Sequence, residues 1–580
     1  MARQLEHFPN LVTMFRTRAA EKGDAPFLWA KRGGAWQPTS WREAARQVAV
    51  LAESLRRIGL EPGDRVMLGS ENRPEWLIAD LGVMAAGCVT VPTYTTNTMR
   101  DHTHILGNSG ARAAIVSNQK LAKTLIPAVL FSSECHHLIG IEDVRTGQAT
   151  DEFNFHHWAE LVAGTPDVAA LDQRLQRFRR EDLACIIYTS GTGGAPRGVR
   201  QHHGSILANI AGAADIISTD FGWDDEVFLS FLPASHAYEH SGGQHFPVGL
   251  GAQIYYAESL EKLAANIEEV RPTIMVVVPR LFEMLRARIL KTIKKGGLSD
   301  YLLMRALSIG ASRIKGRIMP LDLPMDRLLS VTLRRKVRAK FGGRIKAMVS
   351  GGAPLNPEVG LFFQSLGLTL LQGYGQTEAG PVISCNRPKA GIRMDTVGPP
   401  VKDAEVRIAE DGEIMVRGEL VMYGYWRNPE ETARVLKDGW LATGDVGHLD
   451  QKGRIVITDR KKDLIVNDKG DNVSPQRVEG MLTLQAEIAQ AMVYGDGRPH
   501  LVALLVPDPE FAAAADVHER LGRAVDRVNA DLSIVERVRR FIVADAPFTI
   551  ENEQLTPSMK IRRHVLKAAY GERLDALYKK

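Results

Sequence analysis

Several short β-type runs in this chain each end in a glycine-rich loop, and that pattern limits its fold more than any other feature. Residues 184–188, 347–350 and 368–371 are such runs, and 273–278 is a similar run that leads into Pro279, all built mostly from Ile, Val, Leu, Met and Ala. Near-continuous apolar stretches of this length suit strands buried on both faces, and parallel strands of that kind need helical crossovers. Upstream, Ala45, Val48, Leu51, Leu55 and Ile58 recur at three- and four-residue steps, which predicts a helix over 42–60. Gly63-Asp64 then breaks the chain; 66–68 reads as a strand, 75–86 as a helix and 88–91 as a short buried strand. Strand, glycine loop and helix in repetition describe a doubly wound α/β domain, whose ligands gather at the carboxyl ends of the strands. The 580 residues leave room for such a domain and a smaller one beside it.

The pattern changes near residue 400. Residues 405–408 and 413–417 flank Asp411-Gly412 and predict a hairpin with an Asp-Gly turn. A strand at 454–457 leads into the charged run Asp459-Arg460-Lys461-Lys462-Asp463. Beyond it come a short strand at 465–466, a helix at 475–484, strands at 490–494 and 501–506, and C-terminal helices. The expected architecture is therefore α/β: a large N-terminal domain over 1–459 with a β-rich part at about 395–459, then a small α+β domain over 460–580.

Composition excludes several classes. With 44% hydrophobic and 24% charged residues the chain can bury a core, so disorder and fibrous repeats are ruled out. The four cysteines, Cys88, Cys135, Cys185 and Cys385, form no CxxC pair, fit neither a zinc nor a disulfide framework, and suit a reducing cytoplasm. The first residues hold no continuous apolar core of a secretory signal, and no apolar run nears the ~20 residues of a membrane span. A cytoplasmic protein is expected, with at most peripheral contact at the inner membrane surface. Net charge is only +5, which gives no reason to expect nucleic acid, but residues 286–346 carry seventeen Lys/Arg against three acids. That stretch suits an anionic membrane or an acidic ligand, although a solvated helical insertion explains it more simply.

The richest segment for chemistry is Tyr188-Thr189-Ser190-Gly191-Thr192-Gly193-Gly194-Ala195-Pro196-Arg197-Gly198-Val199. Hydroxyls on Thr189, Ser190 and Thr192, with backbone N–H groups freed by glycines, form a cradle for phosphate oxygens, and Arg197 adds a fixed charge. It is not a Walker A loop, and Pro196 breaks the dinucleotide G-x-G-x-x-G pattern. The segment resembles the phosphate loop of the adenylate-forming superfamily, which includes acyl-CoA synthetases, peptide-synthetase adenylation domains and luciferases. Further signatures of that superfamily follow in order: the stretch at 350–355 (SGGAPL), 372–378 (QGYGQTE), 439–445 (GWLATGD), 453–463 and 555–562 (LTPSMKIR). Segments around 256–259 and 270–280 look most like long-chain fatty acyl-CoA synthetases.

The resemblance implies a two-step reaction: a carboxylate and ATP give acyl-AMP and pyrophosphate, then coenzyme A displaces AMP. It implies that Thr189, Ser190, Gly191, Thr192, Gly193 and Arg197 hold the β- and γ-phosphates. Gly351, Gly352, Ala353, Pro354 and Tyr374 would flank the adenine, and Gly373 and Gln376 would also bind the nucleotide; Thr377 would bond the α-phosphate; Glu378, with Thr189, would hold Mg²⁺. Asp445 would accept from the ribose hydroxyls and Arg460 would contact ribose or phosphate. Lys560 would bridge carboxylate and α-phosphate in the transition state, His236 would stand beside the acyl pocket, and Lys462 would be the hinge of a mobile C-terminal domain. Three positions depart from the superfamily pattern: Gly193 for threonine, Arg197 for lysine, and Asp468-Lys469-Gly470 for a Gly-Gly stretch. Adenylation motifs are shared, so an acyl-AMP ligase, an aryl or short-chain CoA ligase, and a non-catalytic nucleotide or acyl sensor also fit. The run His236-Ala-Tyr-Glu-His240 spells the H-x-x-E-H metalloprotease pattern. Pro233 and Gly242-Gly243 predict only a short helix there, too little for a zinc site.

Overall fold

The computed structural model describes residues 3–147, 152–189, 195–292, 297–314, 319–469, 471–556 and 561–579. The large N-terminal part holds two sheets. One has seven strands in the order Asn154–His157, His137–Gly140, Ala111–Val116, Arg65–Gly69, Val89–Thr93, Leu183–Thr189, Arg197–His202. All its pairings are parallel except the last, in which the chain leaves Thr189 and returns antiparallel at Arg197. The other has eight strands, with Ile274–Val277, Ala347–Ser350 and Leu370–Gly375 side by side and parallel, and Val382–Cys385 closing one edge.

Helices Leu11–Lys22, Trp41–Arg57, Pro74–Ala85 and His203–Asp220 share one apolar cluster with side chains of both sheets, including Val66, Leu68, Phe228 and Ile254. Trp41–Arg57 starts where Ser40 Oγ accepts the Glu43 N–H at 3.2 Å, an N-cap for one of the free donors of the first turn. Helix Pro74–Ala85 is buried on almost every side, so its sequence shows no polar face. The sequence pattern predicts the strands and helices but not their division into two sheets, because both sheets are built from the same alternation.

The β-rich part begins with the expected hairpin, Glu405–Ile408 against Glu413–Arg417, and continues through Trp440–Leu449 to Ile455–Arg460. Arg460 thus ends a strand of this sheet. The final unit packs Ile488–Tyr494, Leu501–Pro507 and Val538–Val543 against helices Pro475–Leu482, Val517–Asp531 and Arg563–Ala576. Between strands Ile274–Val277 and Ala347–Ser350 the basic stretch forms helices Pro279–Thr292, Leu298–Ile314, Leu323–Val331 and Leu333–Lys340. Their inner residues Phe282, Leu303, Ala306, Ile309 and Leu329 pack on Phe362 and Phe363. No helix among the described residues is long and apolar enough to cross a membrane.

The H-x-x-E-H segment departs from expectation. Gly242-Gly243 does not stop the helix: a short turn Ala237–Glu239 runs into a wide i→i+5 turn, His240–His245, and then Phe246–Leu250. His236 and His240 serve different places. His236 caps the start, its Nδ1 accepting the Tyr238 N–H at 3.1 Å. His240 and His245 instead reach into the core, where both Nε2 atoms meet Asp80 Oδ2, at 3.1 and 2.8 Å. Burial alone would raise the Asp80 pKa, but the two imidazoles reverse this and hold it well below the usual carboxylate range. The two zinc-pattern histidines therefore do not share a site.

Glu239, between them, is fully buried; its Oε1 accepts from Ser230 Oγ at 2.6 Å and from Gln244 Nε2 at 3.4 Å. Burial outweighs these bonds and pushes its pKa from 4.5 up to about 8, so the folded protein keeps this carboxyl protonated at neutral pH. The unfolded chain has lost that proton, so stability should fall as pH rises from about 4.5 towards about 8 and level off above it. Glu239→Gln should remove this slope and raise stability at pH 7 on the order of a few kcal/mol. Urea unfolding across the pH range checks it; parallel pH profiles for the two proteins would contradict the assignment.

Candidate active site

The carboxyl ends of the parallel strands, the β-rich part and the C-terminal unit together bound a cleft of about 2020 Å³. Neighbouring strands Ala347–Ser350 and Leu370–Gly375 deliver two of its walls. The loop after the first carries Gly351, Gly352, Ala353 and Pro354; the second carries Gly373 and Tyr374 and leads to Gln376, Thr377 and Glu378; all of these line the cleft. Gly351 has no room for a side chain, since a Cβ there would lie 2.9 Å from the ring of Tyr238, itself held by an O–H bond to the Val349 carbonyl at 2.8 Å. Gly352 adopts φ 80°, a left-handed conformation that favours glycine.

At the base of the cleft three elements meet on one carboxylate. Asp445 and Arg460 are cross-strand partners in the β-rich sheet, and the Arg460 Nε lies 3.2 Å from Asp445 Oδ1. The Tyr374 hydroxyl donates to Asp445 Oδ2 at 2.7 Å. Burial alone would lower the Arg460 pKa; Asp445, Asp463 and Glu378 more than reverse it. Burial and Asp445 raise the Tyr374 pKa, so the phenol remains a donor. The Asp445 side chain is thus held at the cleft on a frame built from three strands, with oxygens that can accept hydrogen bonds.

A second group of charged side chains lines the cleft around Arg197. Thr189 and Arg197 are paired across the two arms of the hairpin. Arg197 forms an ion pair with Glu431, which also pairs with Arg434, and its guanidinium stacks 4.6 Å from the Tyr425 ring centre. The Tyr425 hydroxyl donates to Glu378 Oε1 at 2.8 Å. Lys462 lines the cleft just past Arg460; burial first, then the neighbouring Arg434 and Arg197, lower its pKa. Cations therefore gather around one anion-accepting end. Glu378 and Thr189 line the same cleft and offer hard oxygen donors, which fit Mg²⁺.

His236 also lines the cleft, on the side of Tyr238. The structure thus brings together Thr189, Arg197, His236, Gly351, Gly352, Ala353, Pro354, Gly373, Tyr374, Gln376, Thr377, Glu378, Asp445, Arg460 and Lys462. Ser190, Gly191, Thr192, Gly193 and Lys560 lie outside the described residues. Sequence reasoning missed Tyr425, Glu431 and Arg434. Their signal was the helix start Asn428-Pro429, preceded by Gly424-Tyr425, but nothing local ties Tyr425 to Glu378 or Glu431 to Arg197.

The cleft combines a glycine-rich backbone wall, a framed carboxylate and a cationic end, and family matches define the class of protein it belongs to. The AMP-binding enzyme family matches residues 15–426, and the AMP-binding enzyme C-terminal domain matches 462–580. The chain belongs to the AMP-binding enzyme family. It is 31% identical to the long-chain-fatty-acid–CoA ligase FadD15 of Mycobacterium tuberculosis, over 97% of this chain and 96% of that protein. It is 28% identical to long chain acyl-CoA synthetase 1 of Arabidopsis thaliana, over 100% and 92%. Among solved structures it shares the fold of the A domain of a carboxylic acid reductase from Segniliparus rugosus. The TM-score is 0.77 at 22% identity, covering 99% of this chain and 94% of that one.

Replacing Asp445 by Asn keeps the shape but removes the anion that anchors Arg460 and accepts hydroxyl protons. Affinity for AMP should fall about tenfold or more, as loss of hydrogen bonds to a charged group costs about 1.5–3 kcal/mol. Calorimetric AMP titration checks this; unchanged affinity would remove Asp445 from the nucleotide site.

Proposed function

We propose that the protein is an AMP-forming long-chain fatty acid–CoA ligase. The observation that carries this reading is the convergence of Thr377, Glu378, Asp445, Arg460 and His236 on one cleft between the two family domains. The acyl class follows the relatives, whose names specify long-chain fatty acids over nearly the whole length.

In the first step a fatty carboxylate oxygen attacks the α-phosphorus of ATP. The bond from α-phosphorus to the bridging oxygen breaks, and pyrophosphate leaves with the electron pair. Asp445 and Tyr374 orient the ribose and adenine, so the α-phosphate falls at Thr377 while the β- and γ-phosphates fall towards Arg197 and Thr189. Mg²⁺, when bound by Glu378 with Thr189, would neutralise polyphosphate charge. His236 stands on the acyl side, where its Nδ1 bond to the Tyr238 N–H leaves the neutral ring's proton on Nε2. Lys560 supplies the fixed positive charge for the crowded transition state. In the second step the sulfur of coenzyme A attacks the acyl carbon, AMP leaves, and the thiol proton passes to solvent. Lys560 must vacate the site between the steps, and rotation of the C-terminal unit at Lys462 achieves this.

Coenzyme A and ATP with acids of graded chain length should give acyl-CoA most efficiently with the long-chain members. Efficient turnover of benzoate or acetate with none of fatty acids would overturn the substrate class. Lys560→Ala should slow acyl-AMP formation by a factor of hundreds, since one charged transition-state contact is worth about 3–4 kcal/mol. It should leave conversion of supplied acyl-AMP to acyl-CoA nearly intact. Lys462→Pro should do the reverse, because a fixed φ at the hinge impedes rotation. Single-turnover assays of each half separate the two; equal losses in both halves for both variants would contradict an alternating C-terminal unit.

A further inference from the structure

Among the described residues, twenty large hydrophobic side chains are exposed, and ten of them fall between Met284 and Val331, inside the basic helical insertion. The sequence shows the charge there; the structure shows that apolar side chains protrude among the cations. On helix Pro279–Thr292 the outer positions Met284 and Leu290 are exposed. On Leu298–Ile314, Leu298 (75% exposed), Tyr301 and Met304 follow at three-residue steps and form one outward stripe. Met319, Leu321 (90% exposed), Leu323, Leu328 and Val331 are exposed on the next turn and helix. The ion pair Arg305–Asp322, at 2.8 Å, ties that turn to the stripe-bearing helix.

The charges on this face are not cancelled locally. Asp322 is taken by Arg305, and Asp326 by Arg334 and Arg313. Arg327, Arg335 and Lys336 are exposed and make no ion pair among the described residues. A face of single protruding Leu, Met and Tyr side chains set among unpaired cations matches neither a protein core interface nor an ordinary solvated helix. It matches the boundary of an anionic bilayer, where apolar tips enter the acyl region and Arg and Lys stay at the headgroups. A second copy of this chain would bring like charge against like charge.

We propose that this insertion docks the protein on anionic phospholipid surfaces. The helix Pro279–Thr292 connects that face to the chemistry: Met284 and Leu290 point outward, while Glu283 and Arg286 line the cleft. A fatty acid dissolved in the bilayer would therefore be delivered beside the cleft. Only the delivery route rests on the long-chain reading; the docking rests on the surface alone.

The test is flotation of the full-length protein, without substrates, on phosphatidylcholine vesicles and on phosphatidylcholine–phosphatidylglycerol vesicles. The protein should float with the second and not the first, and added salt should release it. Arg327→Gln with Lys336→Gln should weaken partitioning about tenfold or more, since each cation near such a surface contributes about 1 kcal/mol. Leu321→Ser with Leu328→Ser should weaken it similarly, while Ile534→Ser, an exposed apolar residue elsewhere, should not. Both double variants should keep the wild-type thermal midpoint and acyl-AMP formation from a soluble medium-chain acid. Equal recovery on both vesicles, no recovery on either, or double variants that float like wild type would overturn the proposal. A dimer in solution that the Leu321/Leu328 variant dissolves, with no flotation, would assign the face to self-association instead. Intact flotation without thioester formation from any acid would sink the ligase reading and leave this surface standing.

Discussion

The carboxylate of Asp445 is the point on which the geometry of the cleft depends. It accepts from Tyr374, at the end of a strand in the eight-stranded sheet, and it pairs with Arg460, the last residue of the β-rich sheet before the C-terminal unit. One side chain thus ties the Tyr374 strand end to the β-rich part, at the residue from which the chain leaves for the C-terminal unit. Buried charges are costly unless paired and hydrogen-bonded, and here both conditions are met by groups from different elements. A substitution that spares local folding can therefore still misplace Tyr374 and Arg460.

The cationic end follows the same logic with opposite sign. Arg197, Arg434 and Lys462 cannot gather without cost, and the depressed Lys462 pKa registers that crowding. Glu431 offsets part of it by pairing with both arginines. Tyr425 links Arg197 to Glu378, with its ring under the guanidinium and its hydroxyl on the carboxylate. A bound anion would bring the negative charge that this arrangement lacks and would relieve the crowding. The planar guanidinium of Arg197 suits this double duty better than an ammonium, because it can stack on Tyr425 while pairing in its own plane.

Much of the fold was legible because its strands are short, apolar and punctuated by glycine loops; the runs at 347–350, 405–408 and 413–417 coincide with observed strands. Strand ends elsewhere moved by one or a few residues, as at Leu370–Gly375, where Gly373 and Tyr374 still pair across to Cys385 and Ser384. What stayed hidden were contacts between residues far apart in the chain. Asp80 binding His240 and His245 is one, and it also explains why Gly242-Gly243 did not end the helix: both sides of the wide turn are anchored to a single buried carboxylate. Glu239 was read only as part of a motif, because a glutamate's pKa depends on burial that local sequence does not show. The basic insertion was visible as charge alone, since exposure of Leu321 or Tyr301 depends on which helix face meets Phe362 and Phe363.

Adenylation of a fatty carboxylate in this cleft predicts isotope exchange between pyrophosphate and ATP. With Mg²⁺, a long-chain fatty acid and no coenzyme A, labelled pyrophosphate should enter ATP at a rate that depends on the acid, because the first step is reversible while acyl-AMP is held in the cleft. Exchange that is absent with every fatty acid, or ATP cleavage to ADP and phosphate in its place, would contradict the account.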